Sequence, residues 1–211
     1  DKGEEVVGFG VLAKDNLLVI GTRGGQVKRV QAGDVQSSAE ASWSTIIGLS
    51  GDDDAVLFAG TGGDDAHVMF FTSSRAIRFQ AGDVNPQATA SARGVTGIKP
   101  RKGDALLGGD LVPAGDGDWG VVVVSKGGYV KRVPVDEFSV QGRGGQGVVL
   151  LNVTKTTGPV IAADAGPMDG AVDLIGEAGK RQRLEEVPVE NRPNRGIKLV
   201  ELDYVAEVRV L

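Results

Sequence analysis

The sequence has no cysteine, one histidine (His67) and only 5% aromatic residues. Without cysteine there are no disulfides and no thiolate metal sites, and a single histidine cannot build a histidine-based metal cluster. The low aromatic content argues against binding of single-stranded nucleic acid by base stacking. No apolar run approaches the roughly 18 residues that a membrane-spanning helix needs. We therefore expect no metal or other cofactor and no membrane contact.

An excess of basic residues is also absent, because 23 Lys and Arg stand against 28 Asp and Glu, a net charge of -5. Bulk charge alone would disfavour a nucleic-acid partner, so the placement of the basic residues matters more than their number. Glycine, in contrast, is abundant: 33 residues are scattered along a chain that is 41% hydrophobic. This combination predicts many short strands joined by tight turns around a buried core.

A unit of about fifty residues recurs along the chain, and its clearest part is a β-hairpin. An apolar run, a small or glycine-rich turn and a returning run occur at residues 17–30, 68–79, 121–133 and 172–184. Short strand-like elements flank each hairpin, which brings each unit to about four strands. We predict one all-β, propeller-like domain of about four blades with four strands each, with repeats at approximately residues 16–66, 67–117, 118–169 and 170–211. Residues 108–120 are predicted to form a long loop between blades.

The returning strand of each hairpin carries basic residues at a corresponding place. One exposed Lys-Arg pair would be ordinary, but recurrence in every unit favours a binding role. Because Lys28 and Arg29 lie between apolar neighbours in a strand, at least one of them is predicted to point away from the core. The whole recurring set is Lys28, Arg29, Arg78, Lys131, Arg132, Lys180, Arg181 and Arg183.

Residues 128–147 contain the most specific motif of the chain. Gly-Tyr-Val-Lys-Arg-Val-Pro at 128–134 is followed by Gln-Gly-Arg-Gly-Gly-Gln-Gly at 141–147, which we call the box. Together they resemble the signature of the C-terminal domain of the DNA gyrase A subunit, whose box usually reads Gln, basic, Arg, Gly, Gly, basic, Gly. The repeats extend the resemblance over essentially the whole chain. Gly142 and Gln146 depart from it, because the family often has basic residues there, and the family commonly has five or six blades.

The resemblance implies a β-pinwheel, a propeller whose blades exchange strands. It implies a non-catalytic domain that wraps double-stranded DNA around a basic rim, with little sequence preference, and so directs strand passage and supercoiling. In the box it implies DNA contacts from Gln141, Arg143, Gly144, Gly145 and Gly147. A parent of this kind would be a bacterial, cytoplasmic, nucleoid-associated and ATP-dependent type IIA topoisomerase, either a gyrase or a topoisomerase IV. Its partners would be DNA, the rest of the A subunit, which holds the cleavage tyrosine, and an ATPase subunit. The start at Asp1 instead of methionine agrees with a fragment of a longer protein.

Two other classes of function stay open on the sequence. A propeller-like protein-interaction module has a similar period and would suit the acidic composition, but it would show no basic stripe and no duplex binding. A propeller enzyme such as a glycosidase would need paired carboxylates around a central pocket, and no such pair stands apart from the turn-like sequences. The directions of Arg29, Arg78, Arg132 and Arg183 separate the first alternative from a DNA-binding domain, because convergence on one rim favours DNA.

Overall fold

The computed structural model describes residues 5–11, 13–35, 44–104, 106–115, 118–176, 179–198 and 205–211. Within this part of the chain, no helix is both long and apolar enough to pass through a membrane. The helical elements are α1 (Ala32–Val35) and the 3₁₀ turns Ala81–Asp83 and Val135–Glu137. The strands are β1 (Leu17–Thr22), β2 (Gln26–Val30), β3 (Val56–Gly62), β4 (His67–Thr72), β5 (Arg75–Gln80), β6 (Val95–Thr96), β7 (Leu106–Val112), β8 (Trp119–Ser125), β9 (Tyr129–Pro134), β10 (Val148–Val149), β11 (Val160–Pro167), β12 (Val172–Gly176), β13 (Arg181–Leu184), β14 (Ile197–Lys198) and β15 (Val205–Val210).

These strands form four antiparallel sheets, which are the blades. The strand orders are β3-β1-β2-β6, β10-β5-β4-β7, β11-β8-β9-β14 and, among the described residues, β13-β12-β15. The prediction of an all-β fold with four blades is confirmed. In blades 1, 2 and 3 the middle two strands are the hairpin that the sequence repeats predict, and in blade 4 that hairpin is β12 and β13.

The outermost strand of a blade comes from the following repeat. Strand β6 comes after the hairpin of blade 2 in the chain but pairs with β2 of blade 1. In the same way β10 pairs with β5 of blade 2, and β14 pairs with β9 of blade 3. This exchange links each blade covalently and through its ladder to the next one.

The innermost strands β3, β7, β11 and β15 lie side by side, β3 against β7, β7 against β11 and β11 against β15. They surround the axis of the propeller, whereas β6, β10 and β14 form its outer rim. The structure places Leu106–Val112 in strand β7 and starts β8 at Trp119, so most of the loop predicted at residues 108–120 is a strand. The part of strand β7 in this stretch was not predicted because it contains Gly108 and Gly109, and glycine is disfavoured in strands.

The hydrophobic core lies between blades rather than inside one sandwich. In β8, Val121 and Val123 pack in the cluster shared with blade 2, while Val122 and Val124 pack in the cluster shared with blade 4. Successive side chains of a strand point to opposite faces, and here both faces are covered by neighbouring blades. This explains why the hairpin strands are continuous apolar runs.

Two aspartates on neighbouring inner strands hold the blades together near the axis. A carboxylate oxygen of Asp110 accepts a hydrogen bond from the Ala165 N–H at 2.8 Å, and one of Asp164 accepts from the Val210 N–H at 2.7 Å. Burial, and then the adjacent Asp164, raise the pKa of Asp110 well above its ordinary value. Burial also raises the pKa of Asp164. The pair therefore holds a proton above the pH at which an exposed aspartate loses it.

We expect Asp110→Asn to stabilise the protein at pH 8 and to have little effect near pH 4. The folded state holds a proton that the unfolded chain releases near pH 4, so the wild-type free energy of unfolding falls as the pH rises through the raised pKa of Asp110. An asparagine is neutral at any pH, and its side-chain oxygen can still accept from the Ala165 N–H. The gain at pH 8 should be on the order of 1 kcal/mol, since one pKa unit corresponds to about 1.4 kcal/mol. Urea unfolding across this pH range measures it, with the exposed Asp53→Asn as control. A difference independent of pH would contradict the raised pKa of Asp110.

Candidate nucleic-acid interface

The recurring basic pairs are buried instead of exposed. The relative exposure of Lys28, Arg29 and Lys131 is 1% each, and that of Arg132 is 5%. The prediction that Lys28 or Arg29 points away from the core is therefore wrong, because both faces of β2 are covered by neighbouring segments. In this conformation none of the four side chains is placed at the surface where a phosphate could meet it.

The arginines of the set connect each blade to the next. The Nη1 atom of Arg29 donates hydrogen bonds to the carbonyls of Ala81, at 3.0 Å, and Val84, at 3.1 Å, in the turn that follows β5. Arg78 in β5 donates in the same way to Val135, at 3.1 Å, and Phe138 in the turn that follows β9. Ala81 and Val135 begin the two 3₁₀ turns, and Val84 and Phe138 directly follow them. The guanidinium groups therefore add donors to carbonyls of these turns, which have no partner in a ladder.

Arg132 in β9 repeats the arrangement with the carbonyls of Met168 and Gly170 at the entry to blade 4. The corresponding residue of blade 4 is Arg183, since Arg132 pairs with Val122 and Arg183 with Asp173 at the same level of their hairpins. The Arg183 side chain is 54% exposed and has only Asp173 and Glu185 as ion-pair partners among the described residues. Its neighbours Lys180 and Arg181 are exposed as well.

The buried lysines bind carbonyls on the other face of their strands. Lys28 Nζ donates to the carbonyl of Ile46 and, at 2.8 Å, to that of Thr89. Lys131 Nζ donates to Leu150 at 2.8 Å and to the carbonyls of Asn191 and Arg192. Burial lowers the pKa of Lys131 to about 8. Both lysines therefore fix the loops that lead to the exchanged strands.

The box lies on the outer rim and bonds to the segment that follows β6 of blade 1 and to β5 of blade 2. The Gly144 N–H donates to the Gly97 carbonyl at 2.6 Å, and the Lys99 N–H donates to the Gly145 carbonyl at 2.9 Å. Gln141 donates its N–H to the Arg78 carbonyl at 2.8 Å. At its end the box continues directly into β10 of blade 2. The box therefore joins the strand exchanged into blade 1 to the edge of blade 2.

The glycines of the box have distinct conformational roles. Gly144 has a φ of +80° and Gly147 a φ of +69°, a region that side chains other than glycine rarely adopt. At Gly147 an added Cβ would also stand 2.3 Å from the Ala76 carbonyl oxygen. Gly145 has room for a Cβ, with Ile77 at 3.5 Å. The structure thus gives Gly144 and Gly147 a backbone role independent of any ligand.

Arg143 is exposed on the rim, and its guanidinium is oriented by backbone carbonyls. Its Nε donates to Asp83 at 3.2 Å, and its Nη1 donates to Thr96 at 3.3 Å. No carboxylate among the described residues forms a salt bridge with it at 4.0 Å or less. Part of its donor capacity and its whole charge are therefore available to an anion.

The fold brings further cations to the box that the sequence motifs did not indicate. Arg101 donates from Nε to the Gln146 side-chain oxygen at 3.0 Å, and Arg75 donates from Nη2 to the Gly147 carbonyl at 2.9 Å. Burial and the nearby positive charge of Arg101 lower the pKa of Arg75. Lys99 and Arg101 are exposed. Both follow β6 closely in the chain, so only the position just after the exchanged strand could have indicated them.

The same rim position carries cations in the other blades. The glycine that enters each exchanged strand is Gly94, Gly147 or Gly196, and the residues before them are Arg93, Gln146 and Arg195. In the box, the residue at the position of Arg93 is therefore Gln146, and Arg143 lies three residues earlier in the chain. Arg195 lies over the Tyr129 ring with its guanidinium carbon 5.4 Å from the centroid, and Lys198 pairs with Tyr129 in the ladder.

Blades that exchange their outer strands around an axis, with exposed cations along the exchanged edge, define a β-pinwheel type of propeller domain. The sequence profile of the family described as "DNA gyrase C-terminal domain, beta-propeller" matches residues 16–42, 66–113 and 121–165, more than half of the chain. The chain belongs to this family. The resemblance inferred from the hairpins and the box is confirmed.

Individual relatives agree with this assignment. The chain is 31% identical over 202 residues to the DNA gyrase A subunit of Deinococcus deserti and 32% identical over 196 residues to that of Lawsonia intracellularis. These alignments cover 93% and 92% of the chain but 24% of each relative, so the chain spans about a quarter of their length.

Solved structures show the same fold. A structure of a DNA gyrase A C-terminal domain superposes with a TM-score of 0.79 at 25% identity, over 95% of this chain and 67% of that one. The C-terminal domain of a DNA topoisomerase IV superposes with a TM-score of 0.83 at 22% identity, over 93% of this chain and 62% of that one. The second likeness supports the fold only.

Proposed function

We propose that this domain is a non-catalytic module that binds double-stranded DNA along its outer rim and bends it. The observation that carries the proposal is the group of exposed cations at the box, Lys99, Arg101 and Arg143. Backbone and side-chain hydrogen bonds hold these residues on one continuous edge, and Arg93, Arg195 and Lys198 extend the edge to the neighbouring blades.

A basic edge of this kind fits duplex DNA better than a compact ligand. Each phosphate that a lysine or arginine neutralises releases condensed counterions, which supplies sequence-independent affinity. Bending a site of a few helical turns costs roughly 1–6 kcal/mol. A rigid curved rim offsets that cost because its cations are already fixed along an arc. A bent duplex can therefore contact more of these cations, and the protein loses no further conformational freedom when it binds.

Family membership extends the proposal to the parent protein. We infer that the domain acts within a type IIA topoisomerase, attached to the rest of the A subunit, and works with an ATPase subunit. In this arrangement the bent duplex would be delivered to strand passage, and bond cleavage would be carried out elsewhere in the parent. Burial and bonds to backbone carbonyls argue against direct DNA contacts by five of the predicted residues, Lys28, Arg29, Arg78, Lys131 and Arg132. The other predicted DNA-contact residues lie on the surface or in the box, which supports their role. They are Gln141, Arg143, Gly144, Gly145, Gly147, Lys180, Arg181 and Arg183.

We expect the double variant Lys99→Ala/Arg143→Ala to bind duplex DNA at least about tenfold more weakly than the wild type. The slope of log affinity against log salt should also fall by about two, because each lost phosphate contact lowers it by about one. Fluorescence anisotropy of a labelled duplex between about 50 and 200 mM salt measures both quantities. The matched control is Lys14→Ala/Arg209→Ala, which removes two exposed cations away from the rim. Equal losses in the two double variants would contradict the rim as the binding site.

Bending is tested separately from binding. Ligation of a nicked plasmid in the presence of the domain traps any change in linking number, and this change should be absent with the Lys99→Ala/Arg143→Ala variant at the same protein concentration. Binding without a change in linking number would retain the DNA-binding proposal and remove the wrapping one. Absence of duplex binding even at low salt would favour a protein-interaction module.

A further inference from the structure

The two faces of the propeller carry opposite charge. We call the face with the hairpin turns at residues 23–25, 73–74 and 126–128 the turn face. The opposite face, where β3, β7 and β11 connect to the next hairpins and where the 3₁₀ turns lie, is called the return face. The Asp110–Ala165 and Asp164–Val210 hydrogen bonds hold successive inner strands at corresponding levels. The hairpin turns of successive blades therefore lie on the same face.

The exposed charges of the return face are mainly carboxylates. The connections on this face contribute Asp64, Asp65, Asp83, Asp118, Asp136 and Asp169. Asp64 and Asp136 are ion-paired to the inter-blade arginines Arg29 and Arg78. Asp65 and Asp118 have no salt-bridge partner within the described ranges. A duplex displaced toward this face would meet a field of its own sign.

The turn face is basic in blades 2, 3 and 4. Its exposed cations are Arg101 and Lys102 in blade 2, Lys126 and Lys155 in blade 3, and Lys180 in blade 4. They adjoin the rim cations of the box, because Arg101 is hydrogen-bonded to Gln146. Phosphates along the turn-face half of the rim are therefore within reach of two rows of cations.

Blade 1 interrupts this pattern, because the one exposed cation of its hairpin turn, Arg23, stands beside three aspartates and donates to the Asp53 carbonyl. The loop before its inner strand contains Asp52, Asp53 and Asp54, where the corresponding loop of blade 2 has Arg101 and Lys102. Asp54 is fixed by hydrogen bonds from the N–H groups of Gly24, at 2.7 Å, and Ser50, at 3.0 Å. Asp52 and Asp53 remain exposed on the turn face. The carboxylates of this loop oppose a duplex at the place where the other blades attract it.

We infer that the duplex follows the turn-face half of the rim across blades 2, 3 and 4, passes the box and leaves the protein at the acidic loop of blade 1. The carboxylates of the return face and of the blade 1 loop set the limits of this path. The inference rests on the proposed function and adds the path to it. It also explains how a chain with a net charge of -5 could bind DNA. Exposed charges act over a Debye length of about 10 Å, so the charges near the duplex matter more than the net charge of the whole chain.

Two charge-reversal variants of the 211-residue chain test the path. Asp52→Lys/Asp53→Lys changes the blade 1 loop, and Asp65→Lys/Asp118→Lys makes the same change of net charge on the return face. The first variant should extend the path, raising the salt slope by about two and the affinity by about tenfold in the anisotropy assay. The second should leave the salt slope unchanged, because the duplex does not pass there. Circular dichroism and urea unfolding establish that both variants remain folded.

The outcomes separate the path from the function. Equal increases of the salt slope in both variants, or a larger increase for the return-face variant, would overturn the path while leaving DNA binding intact. No duplex binding by the wild type at low salt would overturn the proposed function itself. A photo-crosslinking residue at the exposed Thr156 on the turn face should label the duplex, and one at Asp65 should not. Labelling at Asp65 alone would also overturn the path.

Discussion

Replacing Arg29 with alanine should lower the free energy of unfolding by about 3–5 kcal/mol. The variant removes the guanidinium donor from two buried carbonyls of the neighbouring blade, those of Ala81 and Val84. The Ala81 carbonyl keeps its bond from the Val84 N–H, whereas that of Val84 loses its side-chain donor. It also leaves a cavity at a side chain that is 1% exposed. The ion pair with Asp64 adds little to this loss, because the Asp64 side chain is 80% exposed.

Arg183→Ala is the matched control, since Arg183 occupies the corresponding position of blade 4 but is exposed. Its loss should stay within about 0.5 kcal/mol, as is usual for surface substitutions. Urea unfolding followed by tryptophan fluorescence compares the two variants. If Arg29 instead served as a direct phosphate contact, Arg29→Ala would keep the stability of the wild type and lose affinity for DNA. That result would contradict the inter-blade role.

The sequence was sufficient to predict the hairpins and their number. Apolar runs such as Val121–Val124 next to a glycine-containing turn favour a strand and its return, and their recurrence predicts blades. The sequence also indicated short strand-like elements where the exchanged strands β6, β10 and β14 lie. Local patterns did not indicate their pairing, because each of these strands has two residues and its partner lies in the preceding repeat. The exchange was implied only by the family resemblance.

The buried basic pairs show why strand alternation gave a wrong prediction for the surface. In a two-layer domain, alternate residues of a strand face core and solvent, so one of Lys28 and Arg29 should have been exposed. In a propeller both faces of a middle strand contact other blades. The recurrence of these residues was a real signal, but it reported the repeated inter-blade contact. The exposed cations Lys99, Arg101 and Arg195 recur less regularly because each needs only to lie on the rim, not to fit a fixed pair of carbonyls.

This division of roles explains how an acidic chain can have a basic functional edge. The buried arginines Arg29, Arg78 and Arg132 satisfy carbonyls and count toward the net charge without contributing to the surface. The exposed carboxylates of the return face lower the net charge, and among them Asp83 adjoins the rim, where its carbonyl accepts from Arg143. Geometry therefore separates three sets of charges that composition adds together, and only the rim set bears on the proposed nucleic-acid binding.

Replacing Gly147 with alanine should destabilise the protein by at least about 2 kcal/mol. The φ of +69° disfavours any side chain at this position, and the new Cβ would stand 2.3 Å from the Ala76 carbonyl oxygen. That oxygen belongs to β5, which pairs with β10 immediately after the box, so relief of the clash requires separation of the outer strand. Gly94 and Gly196 have the same close approach, 2.3 Å, to the carbonyls of Val27 and Val130, which indicates that the contact is a condition of strand exchange.

Gly142→Ala is the control within the same box, because an added Cβ at Gly142 meets no atom within 4 Å. Its effect on the free energy of unfolding should lie within about 0.5 kcal/mol. Thermal and urea unfolding of both variants give the stability, and duplex anisotropy at a temperature where both are folded gives the affinity. A stable Gly147→Ala variant that loses only DNA binding would assign this glycine to phosphate approach. Loss of stability in Gly147→Ala alone would show that the last glycine of the box is needed to lead the chain into the neighbouring blade, where the rim cations are then positioned.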